Sequence, residues 1–370
     1  ADSAEAALAL AVDRLTRDGP AAARPDFAAL PDGTVPGLLR PILVAWTMAD
    51  PAAGAAHLEA APRRIEQLEL FHRVSLLDAA GRPEEALAAL DDFEADPTRL
   101  SERLLVTRAR LLARTGEAGA ARALLGADRG VQERSELVRR AAGALAEGGI
   151  PAALVAEPVA GVADALFNLG EVLRAQGRSL NAIFYTRLGL HLVPDHAAGW
   201  LSLGRLLEIE DGPDAAIDAF ERVEAGSPWY RMARMELAEA MAARDEIDAA
   251  ATILRELAAA APEDARPLIA LGDILRRAER WEAASEAYDA ALARMPAHAE
   301  DAGSWRLHYA RGIAFERSGR WPPAERALER ALELRPDQPF VLNYLGYSWV
   351  DQGLHLSEAK AMLHEAVEMR

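Results

Sequence analysis

The feature that most constrains this chain is a register. Small residues recur at Gly170, Gly204, Ala238, Gly272, Gly312 and Gly346, in steps of 34, 34, 34, 40 and 34. A second column runs through Ala182, Ala216, Ala250, Ala284, Ala324 and Ala359, in the same steps except for a last one of 35. A third, Pro194, Pro228, Pro262, Pro296 and Pro336, follows in phase. A period of roughly 20 to 50 residues belongs to chains that stack one supersecondary unit on the next, because a single unit cannot bury its own apolar face.

Each unit reads as two helices. In residues 197–230, Trp200, Leu203 and Leu207 fall at i, i+3 and i+7 on one helix face, and Ala216, Phe220 and Val223 form the matching stripe on a second. Gly204 and Ala216 are small where the helices must approach closely, and Pro228 ends the second helix because proline cannot continue the hydrogen-bond ladder. Gly177, Gly319 and Gly353 lie where a first helix stops and a left-handed residue is needed.

With three columns keeping this step, residues 163–370 resemble the tetratricopeptide repeat (TPR) family. The resemblance implies an all-α fold, a right-handed superhelical solenoid of helix-turn-helix repeats. Trp200, Phe220, Leu254, Tyr288 and Leu328 then read as repeat core and carry no chemistry.

Residues 1–126 read as a worn version of the same pattern. Gly81-Arg82-Pro83 followed by Ala86 and Leu90 matches a turn and second helix, and Gly116, Ala121 and Leu125 repeat it. Helices are expected over Ser3–Thr16, Leu38–Met48 and Pro51–Ala60, with the proline- and glycine-rich stretch Gly19–Pro36 as loop. In residues 127–162 the period fails. A helix is expected from Val131 to Ala146, stopped by Gly148-Gly149-Ile150-Pro151, and residues 148–162 read as a mostly extended connection. Residues 163–370 hold six regular repeats, with an insertion at His298–Ser304 forming a longer loop.

Composition narrows the function. With no cysteine, disulfide scaffolds, thiolate metal sites and cysteine nucleophiles are excluded. The 58 acidic against 41 basic residues give a formal charge of -17, which argues against nucleic acid and anionic membrane as partners, and no apolar run is long enough for direct membrane insertion. The eight histidines form no HExxH pair, and His191 and His196, bracketing Pro194, read as a solvated turn pair. The carboxylate runs Asp91-Asp92-Glu94-Asp96 and Glu208-Glu210-Asp211 read as solvated helix ends. GxxxxGK[ST], GxGxxG and GxSxG are missing, so no catalytic residue, metal or cofactor is assigned and a non-enzymatic chain is expected.

In TPR proteins the ligand groove is lined by first-helix positions 2, 5, 9 and 12. The resemblance carries these onto Asp164, Phe167, Glu171 and Arg174, then Ala198, Leu201, Arg205 and Glu208, then Met232, Met235, Glu239 and Ala242. They continue as Arg266, Ile269, Asp273 and Arg276, then Arg306, Tyr309, Ile313 and Glu316, then Phe340, Asn343, Tyr347 and Val350. Peptide contacts are expected from Phe167, Glu171, Arg205, Glu208, Met235, Glu239, Arg276, Tyr309, Phe340, Asn343 and Tyr347. The lysine and asparagine that clamp a partner's C-terminal carboxylate in some TPR proteins are replaced by Phe167 and Glu171, Leu201 and Arg205, and Met235 and Glu239, which disfavours that mode.

The partner expected is therefore a protein or peptide segment that is apolar at one end and basic at the other. The basic end would face residues 205–262, where 13 acidic and 6 basic side chains leave a net of -7. The apolar end would face Tyr309, Phe340 and Tyr347, with Tyr344 at a position that can instead pack against the neighbouring repeat. The whole reads as a scaffold or adaptor. Cysteine count and composition resemble exported TPR proteins of the bacterial cell envelope; a cytosolic regulatory module of a larger enzyme or signalling protein is the alternative. The start at Ala1 without methionine fits a trimmed or processed chain. The column spacing predicts a proline near position 371 and a further helix over an apolar seam of Leu345, Trp349, Leu363 and Ala366.

Overall fold

The computed structural model describes residues 3–62, 64–93, 100–127, 135–295 and 303–369. Among them every regular element is a helix, so the fold is all-α. The chain divides into two compact units, Ala1–Tyr230 and Arg231–Arg370.

The first unit opens with α1 (Ala4–Asp18), α2 (Pro20–Ala28), α3 (Val35–Trp46), α4 (Pro51–Ala60), α5 (Glu66–Ala79), α6 (Pro83–Phe93), α7 (Glu102–Arg114) and α8 (Ala118–Gly126). It continues through α9 (Glu136–Ala146) to two regular hairpins, α10 (Pro158–Ala175) with α11 (Ser179–Leu192), and α12 (Ala197–Glu210) with α13 (Pro213–Glu221). Consecutive helices pack on one another from α1 to α9 and from α10 to α13, and α3 reaches forward to lie against α10. Residues 131–134 of the expected Val131 helix fall outside the described residues, as do Glu94, Asp96 and residues 298–302 of the insertion.

Two stretches expected to be irregular are helical. Residues 20–28 of the Gly19–Pro36 loop form α2, because Pro20 sits at its first position, where no backbone donor is missed, and Phe27 is wholly buried. In the 148–162 connection, α10 starts early, at Pro158, again with proline in the first turn. Its Gly161 lies against the indole of Trp46: a Cβ there would come within 2.1 Å of Cδ2. That contact partner is on α3, far away in sequence. The rest of the connection stays extended, held where Arg110 Nη1 donates to the Pro151 carbonyl at 2.6 Å.

The second unit is α14 (Tyr230–Ala243), α15 (Ile247–Ala260), α16 (Arg266–Arg277), α17 (Trp281–Arg294), α18 (Trp305–Arg317), α19 (Trp321–Leu334), α20 (Pro339–Gln352) and α21 (Leu356–Glu368). From α15 onward each helix packs on the next. The column of small residues has a direct cause. A Cβ at Gly272 would meet the Tyr288 ring at 2.4 Å and one at Gly312 would meet Leu328 at 2.7 Å, so the first helix must be bare where the second presents its largest buried side chain. Gly204 faces Phe220 in the same way in the first unit. Gly177, Gly319 and Gly353 take φ of 73°, 75° and 69° at the ends of their helices. The 35-residue step is absorbed in the turn Gly353–His355, which links α20 to α21.

The apolar seam expected to stand uncovered is not open. Leu345, Trp349 and Ala366 are buried within their own unit and Leu363 is half-buried, and Trp349 Nε1 donates to Glu325 Oε1 at 2.6 Å. The exposed apolar side chains of the last helix are instead Leu356 and Val367.

Candidate functional site

The first-helix positions singled out in the sequence divide between the units. In the first, Phe167 and Glu171 on α10 and Arg205 on α12 line one cavity of about 410 Å³. Further repeat residues such as Leu201 and Ser202 line it too, with Trp229, and one wall comes from helices outside the regular repeats, namely Glu102 and Arg103 on α7 and Leu137 on α9, together with Leu154 of the connection. Phe167 is buried at 8% exposure, and its ring stacks on His196 with centroids 4.0 Å apart. His196 is thus no solvated turn residue. Its Nδ1 accepts from Gly199 N at 2.9 Å and caps α12, and burial holds its pKa below the ordinary histidine value.

Ion pairs organise the rim. Asp164 Oδ1 lies 2.5 Å from Arg103 Nη2, and Asn168 Nδ2 donates to Asp164 Oδ2 at 3.1 Å. Glu171 pairs with Arg174 at 2.9 Å and accepts from the Ser202 hydroxyl. Behind Asp164 sits His72 on α5, wholly buried: Trp46 Nε1 donates to its Nδ1 at 2.9 Å, and its Nε2 is 3.5 Å from Asp164 Oδ2. Burial pushes the pKa of His72 down to about 4 against the opposing pull of Asp164, so it is neutral at neutral pH. Glu208 does not line this cavity.

In the second unit Arg276 and Tyr309 line another cavity, of about 700 Å³, with Ile269, Ile313 and Trp305. Arg276 Nε donates to Tyr288 Oη at 3.3 Å, and Tyr288 donates to Asp273 Oδ1 at 2.8 Å. Tyr309 is half-buried, edge-on to Tyr344 at 5.8 Å, and the Tyr344 hydroxyl donates to Glu316 at 2.8 Å. Tyr344 thus joins α20 to α18. Glu239 is held by Arg277 and Met235 is half-buried, and neither lines this cavity. The most exposed apolar positions are on α20: Phe340 is 58% exposed, Tyr347 62% and Val350 48%, with Asn343 half-buried on the same face.

Glu102, Arg103, Leu137 and Leu154 carry no signal in the sequence, since they lie off the 34-residue register. His72 and Trp46 are likewise unmarked, because their partner Asp164 is distant in the chain. Among the described residues, no group of three or more His, Cys, Asp or Glu is arranged to hold a metal, and no helix is long and apolar enough to cross a membrane.

Residues 263–337 and 309–369 match tetratricopeptide repeat family profiles. The general transcriptional corepressor ssn6 of Schizosaccharomyces pombe is 26% identical over 147 residues, 40% of this chain; that match spans 13% of the length of the corepressor. Among solved structures, a MamA protein is 23% identical, covering 48% of this chain and 93% of that chain at a TM-score of 0.40. MamA from Desulfovibrio magneticus RS-1 is 21% identical, covering 48% and 96%, at 0.41. A chain of the APC/C hetero-tetramer Cut9-Hcn1 is 15% identical, covering 99% and 87%, at 0.45.

Proposed function

For this chain of tetratricopeptide repeats, we propose a non-enzymatic scaffold that holds a segment of another protein on the first-helix face of residues 231–370. The observation that carries this reading is the exposed row Phe340, Tyr347 and Val350 on α20. Large apolar side chains left in water on one helix face mark an interaction surface, and aromatic ones bury much area for few frozen torsions. The segment's apolar part is its main anchor. Glu239 already has Arg277 as partner, so a basic end contributes chiefly to encounter rate.

A photo-reactive phenylalanine placed at position 347 tests the site. It should cross-link one protein from the source cell, through a segment rich in apolar residues, while the same label at Arg326 on α19 should not. Cross-linking from Arg326 alone would move the partner to another face.

The compartment we propose is the bacterial cell envelope, on composition and the lack of cysteine. Fractionation of the source cell tests it; recovery in the cytosol would favour a regulatory module of a larger protein.

A further inference from the structure

We propose that the cavity between α7, α9, α10 and α12 receives one uncharged aromatic side chain of a partner protein. This rests on the scaffold reading only in taking the ligand to be a protein side chain; it concerns a different site from the exposed row on α20.

Size sets the first limit. About 410 Å³ is near the lower end of the roughly 300 to 1,000 Å³ typical of ligand pockets. A helix, about 10 Å across with its side chains, does not fit such a volume, whereas a single large side chain does. The walls from α7, α9 and the connection turn what would be a groove over α10 and α12 into a pocket.

Charge sets the second limit. Arg103 is matched by Asp164, Arg174 by Glu171, and Glu171 also takes the Ser202 hydroxyl. Glu102 accepts from the Ser135 hydroxyl at 2.7 Å, and Arg205 too has an interaction within the chain. A charged ligand would have to displace a partner from one of these pairs, and the Asp164 carboxylate is only 12% exposed, so the carboxylate or cation set free would be poorly solvated. An uncharged side chain leaves every pair intact.

The floor sets the third. Phe167 stacked on neutral His196, with Leu201 and Leu137 beside it, offers an apolar surface and ring edges for edge-to-face contact, which favours an aromatic over an aliphatic guest.

Ligand-observed NMR with blocked amino acids tests the assignment on the whole chain. N-acetyl-tryptophanamide and N-acetyl-phenylalaninamide should bind saturably, with Kd on the order of 1 mM. N-acetyl-glutamic acid amide and N-acetyl-lysinamide should be at least tenfold weaker. Ala198→Phe, which fills the cavity from α12, should weaken the aromatic probes at least tenfold, and Ser202→Phe serves where Ala198→Phe does not fold. Phe340→Ser with Tyr347→Ser should leave these probes unaffected, so the two sites fail or hold independently. No saturation by the aromatic amides, equal or tighter binding of a charged amide, or unchanged binding in a folded cavity-filled variant would each overturn the assignment.

Discussion

Equivalent positions of equivalent helices meet opposite fates in the two units. At position 2, the side chain of Asp164 on α10 is 12% exposed and tied to Arg103, whereas Phe340 on α20 is 58% exposed. The difference comes from what else packs there. In residues 1–230, side chains from α7, α9 and the connection wall the first-helix face, and Arg103 is tied to Asp164; in residues 231–370 the face of α20 stays uncovered. A repeat register therefore specifies where a side chain points, but its accessibility depends on segments outside the register.

The largest effect expected from breaking this comparison is at Gly161. Gly161→Leu would drive a side chain into the Trp46 indole where α3 meets α10, at a cost of about 3 kcal/mol. Denaturant unfolding should show the loss in residues 1–230 while residues 231–370 keep their midpoint. Equal losses in both would mean that the two regions do not differ as described.

Acid should separate the regions next. The folded pKa of His72, about 4, lies below the unfolded value of 6.5, so the unfolded chain binds the proton first. Stability from this group is complete above about pH 6.5, falls as pH drops, and levels off below about pH 4, a total of roughly 3 kcal/mol. His72→Gln keeps an acceptor for Trp46 Nε1 but does not titrate. The melting temperature of the parent should fall more steeply than that of the variant between pH 6.5 and 4.5; parallel curves would remove His72 as the cause.

A smaller effect sharpens the packing rule in the second unit. Ala284→Leu on α17, at a fully buried small position, should cost about 1 to 3 kcal/mol, and Ala290→Leu, exposed on the same helix, close to nothing. Similar values from chemical unfolding would undo the register.

Much of the second unit was legible because each repeat restates the same constraint: Gly272 opposite Tyr288 and Gly312 opposite Leu328 are one contact written twice. The first half resisted for the opposite reason. Helix α2 is hidden among prolines and is held by burial of Phe27, and α10 begins at Pro158 because Gly161 docks on Trp46. Of the site, the register placed Phe167, Glu171 and Arg205 in one cavity and Phe340 and Tyr347 on one face. It pointed Tyr344 toward the neighbouring repeat, where it bonds Glu316, but gave no sign that Glu239 bonds Arg277 or that Glu102 and Leu137 complete a wall, since each depends on a partner brought near only by folding.

The central claim is that the open face of α20 holds the partner. Its most direct test is the affinity of the cross-linked partner segment for the parent chain and for Phe340→Ser with Tyr347→Ser, by isothermal titration calorimetry. Both side chains are exposed, so the variant should keep the parent's melting temperature and bind at least tenfold more weakly. A folded double variant that binds as tightly as the parent would contradict the account.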